Sequence, residues 1–133
     1  MPTLTILDTP LVTLWYHSDT KIVHHQIHKF ISGKEFRDFL LAGSDVLIKN
    51  GARKWLSDDR GNSALANEDV TWSHRQWFPQ TARGGWKYWA IVQPDKVLAQ
   101  SVMQRLVEEY SKYGVTAQFF TDPTQAMRWL ESQ

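Results

Sequence analysis

Two short runs rich in β-branched and aromatic residues, Leu11 to His17 and Lys21 to His28, flank the polar turn Ser18-Asp19-Thr20. So short a connection joins strands only as an antiparallel hairpin. The apolar spacing then lengthens. Ser32 and Glu35 have the spacing of a capping box, and Phe36, Phe39, Leu40, Leu47 and Ile48 follow at broadly helical intervals until Asn50-Gly51. A third strand, Lys54 to Ser57, runs into a polar turn, and a helix starts at Asn67 with Glu68 and Asp69 in its first turn, where the macrodipole favours acid. That helix carries Val70, Trp77 and Phe78, is disturbed at Pro79 and is over by Gly84-Gly85.

Trp86 to Val92 reads as the fourth strand. A helix beginning between Asp95 and Ser101 runs to about Tyr113, with Leu98, Val102, Leu106 and Tyr110 inward and Gly114 after it. Val115 to Phe120 is the fifth strand. Asp122-Pro123-Thr124-Gln125 then supplies a cap, a first-turn proline and a third-position glutamine for a last helix that buries Trp129 and Leu130 with Ala126 or Met127. The expected fold is a single α/β domain over residues 1–133: a five-stranded mixed sheet, a leading antiparallel hairpin followed by three strand–helix repeats, parallel after the first strand.

Composition narrows the function classes. The 133 residues are 42% hydrophobic and 22% charged, which is ordinary globular composition. Fifteen basic and 14 acidic residues give a formal charge of +1, against a nucleic-acid partner, which calls for a basic excess. The absence of cysteine excludes disulfides, thiolate metal sites and cysteine nucleophiles, and suits a cytoplasmic location. No apolar run approaches the roughly 18 residues that a membrane span needs.

Candidate chemistry concentrates in Trp55-Leu56-Ser57-Asp58-Asp59-Arg60-Gly61-Asn62-Ser63. Ligand sites of open α/β sheets lie just past the carboxyl ends of strands. Arg60 there could grip an anion, with Asp58 orienting it and Trp55 and Trp72 completing a pocket. The alternative is a local Asp58–Arg60 ion pair that pins the loop. Asp58 and Asp59 point to opposite sides while the chain is extended, so paired-carboxylate chemistry is unsupported.

Seven tryptophans (15, 55, 72, 77, 86, 89 and 129) exceed the usual frequency. Most read as core. Strand alternation sends Trp86 and Tyr88 to one face and Trp89 to the other, which leaves aromatics needing cover by a second copy or a ligand. His24 and His28 share a face at about 13 Å, too far apart for one metal, and no metal or cofactor is expected. Ser57 or Ser63, His74 and Asp58 compose a catalytic triad only on paper, because the Gly-x-Ser-x-Gly elbow is missing.

The block Lys54-Trp55-Leu56-Ser57-Asp58-Asp59-Arg60, the later Trp72 and Trp77-Phe78-Pro79, and the closing Ala126-Met127-Arg128-Trp129-Leu130 resemble a small uncharacterised bacterial family described as STAS-like or SpoIIAA-like. The resemblance covers Leu11 to the C-terminus. It implies the fold of the anti-sigma-factor antagonists and, distantly, of the CRAL-TRIO lipid carriers, with helices mainly on one face. In the antagonists a serine after the third strand is phosphorylated in an Asp-Ser-Ser-Gly-like motif. Ser57 and Ser63 lie in that region here, outside such a motif. The expectation is a non-enzymatic regulatory or protein-interaction module, a homodimer with a possible protein partner. The alternative is a binder of a small anionic or lipid-like ligand at the C-terminal edge of the third strand.

Overall fold

The computed structural model describes residues 3–61, 66–93 and 100–133, with the backbone alone over 100–103. Ser63, Leu98 and the start of the helix after the fourth expected strand lie outside these residues, as does the packing of Val102. One sheet organises the chain. Its strands are β1 (Thr3–Asp8), β2 (Val12–His17), β3 (Ile22–Ile27), β4 (Lys54–Asp58), β5 (Tyr88–Val92) and β6 (Thr116–Phe120). Their spatial order is their sequence order. The pairs β1–β2 and β2–β3 are antiparallel, and β3 to β6 are parallel.

The mixed α/β sheet is therefore as expected, but it has six strands where the sequence suggests five. Thr3–Asp8 is the addition, an edge strand almost wholly exposed on both faces. Its Leu4 and Ile6 alternate with Thr3 and Thr5, a strand signal present in the sequence, although both side chains stay exposed at the sheet edge.

The helices are α1 (Gly33–Lys49), α2 (Asn67–Trp72), α3 (Phe78–Arg83), α4 (Gln100–Ser111) and α5 (Pro123–Glu131). A π-helical stretch, Ser73–Trp77, joins α2 to α3 as one continuous rod. Phe78 N–H reaches back five residues to Ser73 O just before Pro79, which has no N–H to give. The disturbance expected at Pro79 is thus a widened turn, and the helix continues through it.

The two faces of the sheet are covered unequally. Phe36, Phe39, Leu40 and Leu47 of α1, Trp77 and Phe78 of the central rod and Tyr110 of α4 join one core with Leu14, Val23, Trp55, Trp89 and Ile91. The opposite face carries a smaller core, where Ala126 and Leu130 of α5 pack on Ile22, Leu56, Ala90 and Val92. Trp86 and Trp89 both lie in the larger core, with ring centroids 4.8 Å apart. They do not split between faces, because Trp86 precedes β5 and strand alternation does not reach it.

Local signals set the helix ends. Asp122 caps α5 through its side chain to Thr124 N–H at 2.9 Å. Ser32 makes no such bond at α1, contrary to its capping-box spacing. Gly33 enters that helix at φ +62°, and its N–H turns to Asp69 Oδ2 at 2.9 Å. The free amide is satisfied by the neighbouring helix instead of by its own cap. α1 lies close on the sheet at Gly43, where a Cβ would stand 2.4 Å from the Trp55 ring. Among the described residues no helix is long and apolar enough to cross a membrane.

Candidate functional site

Strand register builds the floor of a cavity. His25 of β3 pairs with Ser57 of β4, Ser57 with Ile91 of β5, and Ile91 with Phe119 of β6. Residues directly abreast in a sheet point to the same face. These four therefore form one row across the parallel strands near their carboxyl ends, beneath the helices. Phe36, Phe39 and Leu40 of α1, Val70 of α2, Trp77 and Phe78 of the central rod and Leu106 and Tyr110 of α4 close over them. The cleft so formed has a volume of about 400 Å³, within the range of about 300–1,000 Å³ common to small-molecule sites.

A short chain of polar groups enters this apolar space. Trp55 donates its indole N–H to Nδ1 of His25 at 3.0 Å, and Nε2 of His25 stands 2.8 Å from Oδ1 of Asp59. An indole N–H only donates, so Nδ1 is bare and Nε2 carries the proton given to Asp59. His25 is 2% exposed. Asp59 reaches the cavity because its N–H bonds Val92 O at 2.9 Å, prolonging the ladder one residue past β4. Alternation then turns Asp59 to the side of Ser57 and away from Asp58.

Ser57 Oγ lies deeper, accepting the indole N–H of Trp89 at 2.8 Å. His74 stands on the rim; lost hydration holds it below the ordinary histidine value, with Glu109 acting in the opposite sense. Burial, aided by the charge of Asp59, pushes the Tyr110 phenol up to about 12. It stays a protonated hydroxyl at neutral pH.

The residues expected to bind ligand are not brought together. Asp58 is buried on the α5 side of the sheet, abreast of Gln26 and Val92. Arg60 closes on it with two parallel bonds, Nε to Oδ1 at 2.9 Å and Nη2 to Oδ2 at 2.8 Å. Both carboxylate oxygens are thereby engaged, which is the loop-pinning arrangement. Trp55 is fully buried behind the cavity and touches the site through His25. Trp72 lies on an open outer groove under the Arg37 guanidinium, 5.3 Å from its ring centroid, and does not line a pocket over Asp58. Ser57 is 1% exposed, its hydroxyl turned into the cavity. Ser63 lies outside the described residues.

Sequence reasoning passes over His25 and Asp59. Alternation holds the signal for His25, which sits between Val23 and Ile27 on the buried side of β3. Among the other histidines, His17 Nε2 and His24 Nδ1 meet at 3.1 Å on the opposite face. The described residues contain no group of three side chains able to hold a metal. No protein-family profile matches the chain, and neither a curated protein nor a solved structure is significantly similar to it.

Proposed function

We propose that the protein binds a small, largely apolar molecule in the cavity between the parallel strands and helices α1, α2, α3 and α4. The observation behind this reading is an aromatic-lined space of about 400 Å³ whose few polar groups include Ser57, His74 and the His25–Asp59 pair. Apolar volume supplies binding free energy, and a small number of polar groups orient the occupant. The site lies at the C-terminal edge of β4, the strand read as third from sequence, with Asp59 and His25 among its polar residues. Binding suits it better than general-base chemistry by His25, because both ring nitrogens are already engaged. The STAS-like resemblance is compatible with such a module.

Titration with toluene or indole, followed by melting temperature, tests this directly. A ligand that binds only the folded chain raises its melting point. The rise should disappear in Leu106→Trp, whose larger side chain occupies the cavity. No rise with either compound in the parent protein would count against the reading.

A second reading, the regulatory interaction module that self-associates, has its own observation. α5 packs against β4, β5 and β6, while β1 exposes Leu4 and Ile6 at the sheet edge. An exposed edge strand is a template for pairing with another chain. Sedimentation equilibrium tests it, and a monomer at high concentration would remove it.

A further inference from the structure

The chemistry of the cavity wall restricts what the occupant carries. Among the described residues that line it, Asp59 is the one carboxylate, and no lysine or arginine is present. Both ring nitrogens of His25 are engaged, Nδ1 by the Trp55 indole and Nε2 by Asp59, so neither is free to meet an anion. Asp59 uses Oδ1 for His25, and among the described residues nothing donates to Oδ2. The side chain is 28% exposed, so the carboxylate sits at the boundary between the cavity and water.

The rings that line the cavity form an apolar wall for the body of an occupant. Phe78, Trp89 and Tyr110 form a mutually packed triplet, with centroids 5.7 Å apart for Phe78–Trp89, 4.9 Å for Phe78–Tyr110 and 4.8 Å for Trp89–Tyr110. Trp77 joins them, 6.0 Å from Trp89. An anionic head group would meet the Asp59 carboxylate with no lysine or arginine among the described lining residues to neutralise it, so the anionic ligand class expected from Arg60 does not suit this cavity.

Resting on the pocket reading, we propose that the occupant is a protonated amine with an aromatic or branched aliphatic body. Its ammonium group sits at Asp59 Oδ2, at the mouth, where it keeps part of its hydration. Its body lies against Phe78, Trp89 and Tyr110. Burying only the body avoids the cost of taking a charge fully out of water.

Four probes of nearly equal shape separate the outcomes: 2-phenylethylamine, 2-phenylethanol, 3-phenylpropionate and ethylbenzene, titrated at neutral pH against tryptophan fluorescence. The amine should bind at least about ten-fold more tightly than the alcohol, as a charge-assisted bond exceeds a neutral one. The carboxylate should bind most weakly. In Asp59→Asn, whose amide oxygen can still accept from His25, the amine should fall to the affinity of the alcohol while ethylbenzene binds as before. Equal affinity of amine and alcohol, with ethylbenzene still bound, would overturn the amine assignment and leave the pocket reading intact. Failure of all four to bind would overturn both.

Discussion

Trp55 of β4 and His25 of β3 meet diagonally, two positions out of register, and the indole N–H of the first fixes the tautomer of the second at 3.0 Å. Among the described residues, the other partner in this chain is Asp59, which already occupies the far nitrogen of His25 and cannot replace the bond. Trp55→Phe would leave Nδ1 unpaired inside the protein, at a cost of about 1–3 kcal/mol for the lost partner. Nitrogen NMR of the imidazole should show a bare Nδ1 and a protonated Nε2 in the parent chain. Observation of the opposite tautomer would refute this arrangement.

Arg60→Ala separates loop anchoring from ligand binding. It strips a carboxylate that is 3% exposed of both its side-chain donors. The arginine is itself partly solvated, so the expected loss is moderate, about 1–3 kcal/mol, read as a lower urea midpoint. The toluene-induced rise in melting temperature should survive, because Arg60 lies on the other face of the sheet from the cavity. Loss of that rise in a folded variant would return Arg60 to the binding site.

Acid should weaken the fold through His24. Burial, then the neighbouring His17 and His25, push this histidine down to about 3, with Asp58 opposing. The unfolded chain regains the ordinary value of 6.5 and binds the proton first. Stability is therefore fully present above pH 6.5 and falls as pH drops toward 3, by at most about 1.4 kcal/mol per pH unit for one group. His17 and His74 are lowered too and add in the same direction. His24→Gln should flatten the slope of urea midpoint against pH by about one proton. An unchanged slope would remove His24 as its source.

Gly61 holds the loop that carries Asp59. A Cβ there would stand 2.0 Å from Ile27 O, a backbone atom that cannot swing aside. Gly61→Ala should therefore cost about 1–3 kcal/mol, as overpacking does. It should also weaken probe binding, since the loop must shift away from the end of β3. Normal stability and normal affinity together would show that the contact is relieved without displacing Asp59.

Residues that answer to local periodicity are legible in the sequence itself. The β2–β3 hairpin, the parallel strands after it and the Asp122 cap all follow from nearest-neighbour chemistry. The site does not, because it depends on parity along a strand. Ending β4 at Ser57 leaves the directions of Asp58 and Asp59 open, and a single further ladder bond, Asp59 N–H to Val92 O, assigns them to opposite faces. Trp72 illustrates a different limit: its position depends on how α2 meets α1 across Arg37 and Asp69, a tertiary contact with no local signature. Ser32 is similar, since the acceptor for Gly33 comes from 36 residues away.

A sheet whose spatial order repeats its chain order can be assembled by accretion. Each strand docks beside the one made just before it, and each parallel crossover spans only the helix between two successive strands. No late segment has to thread between strands already paired, so the search is short and ordering entropy is met in small instalments. The exception comes last: α5 doubles back across β6 to reach β5 and β4 on the bare side. Ala126 and Leu130 of this helix cover Leu56 and Ala90, so the second core is closed by the last element of the described chain.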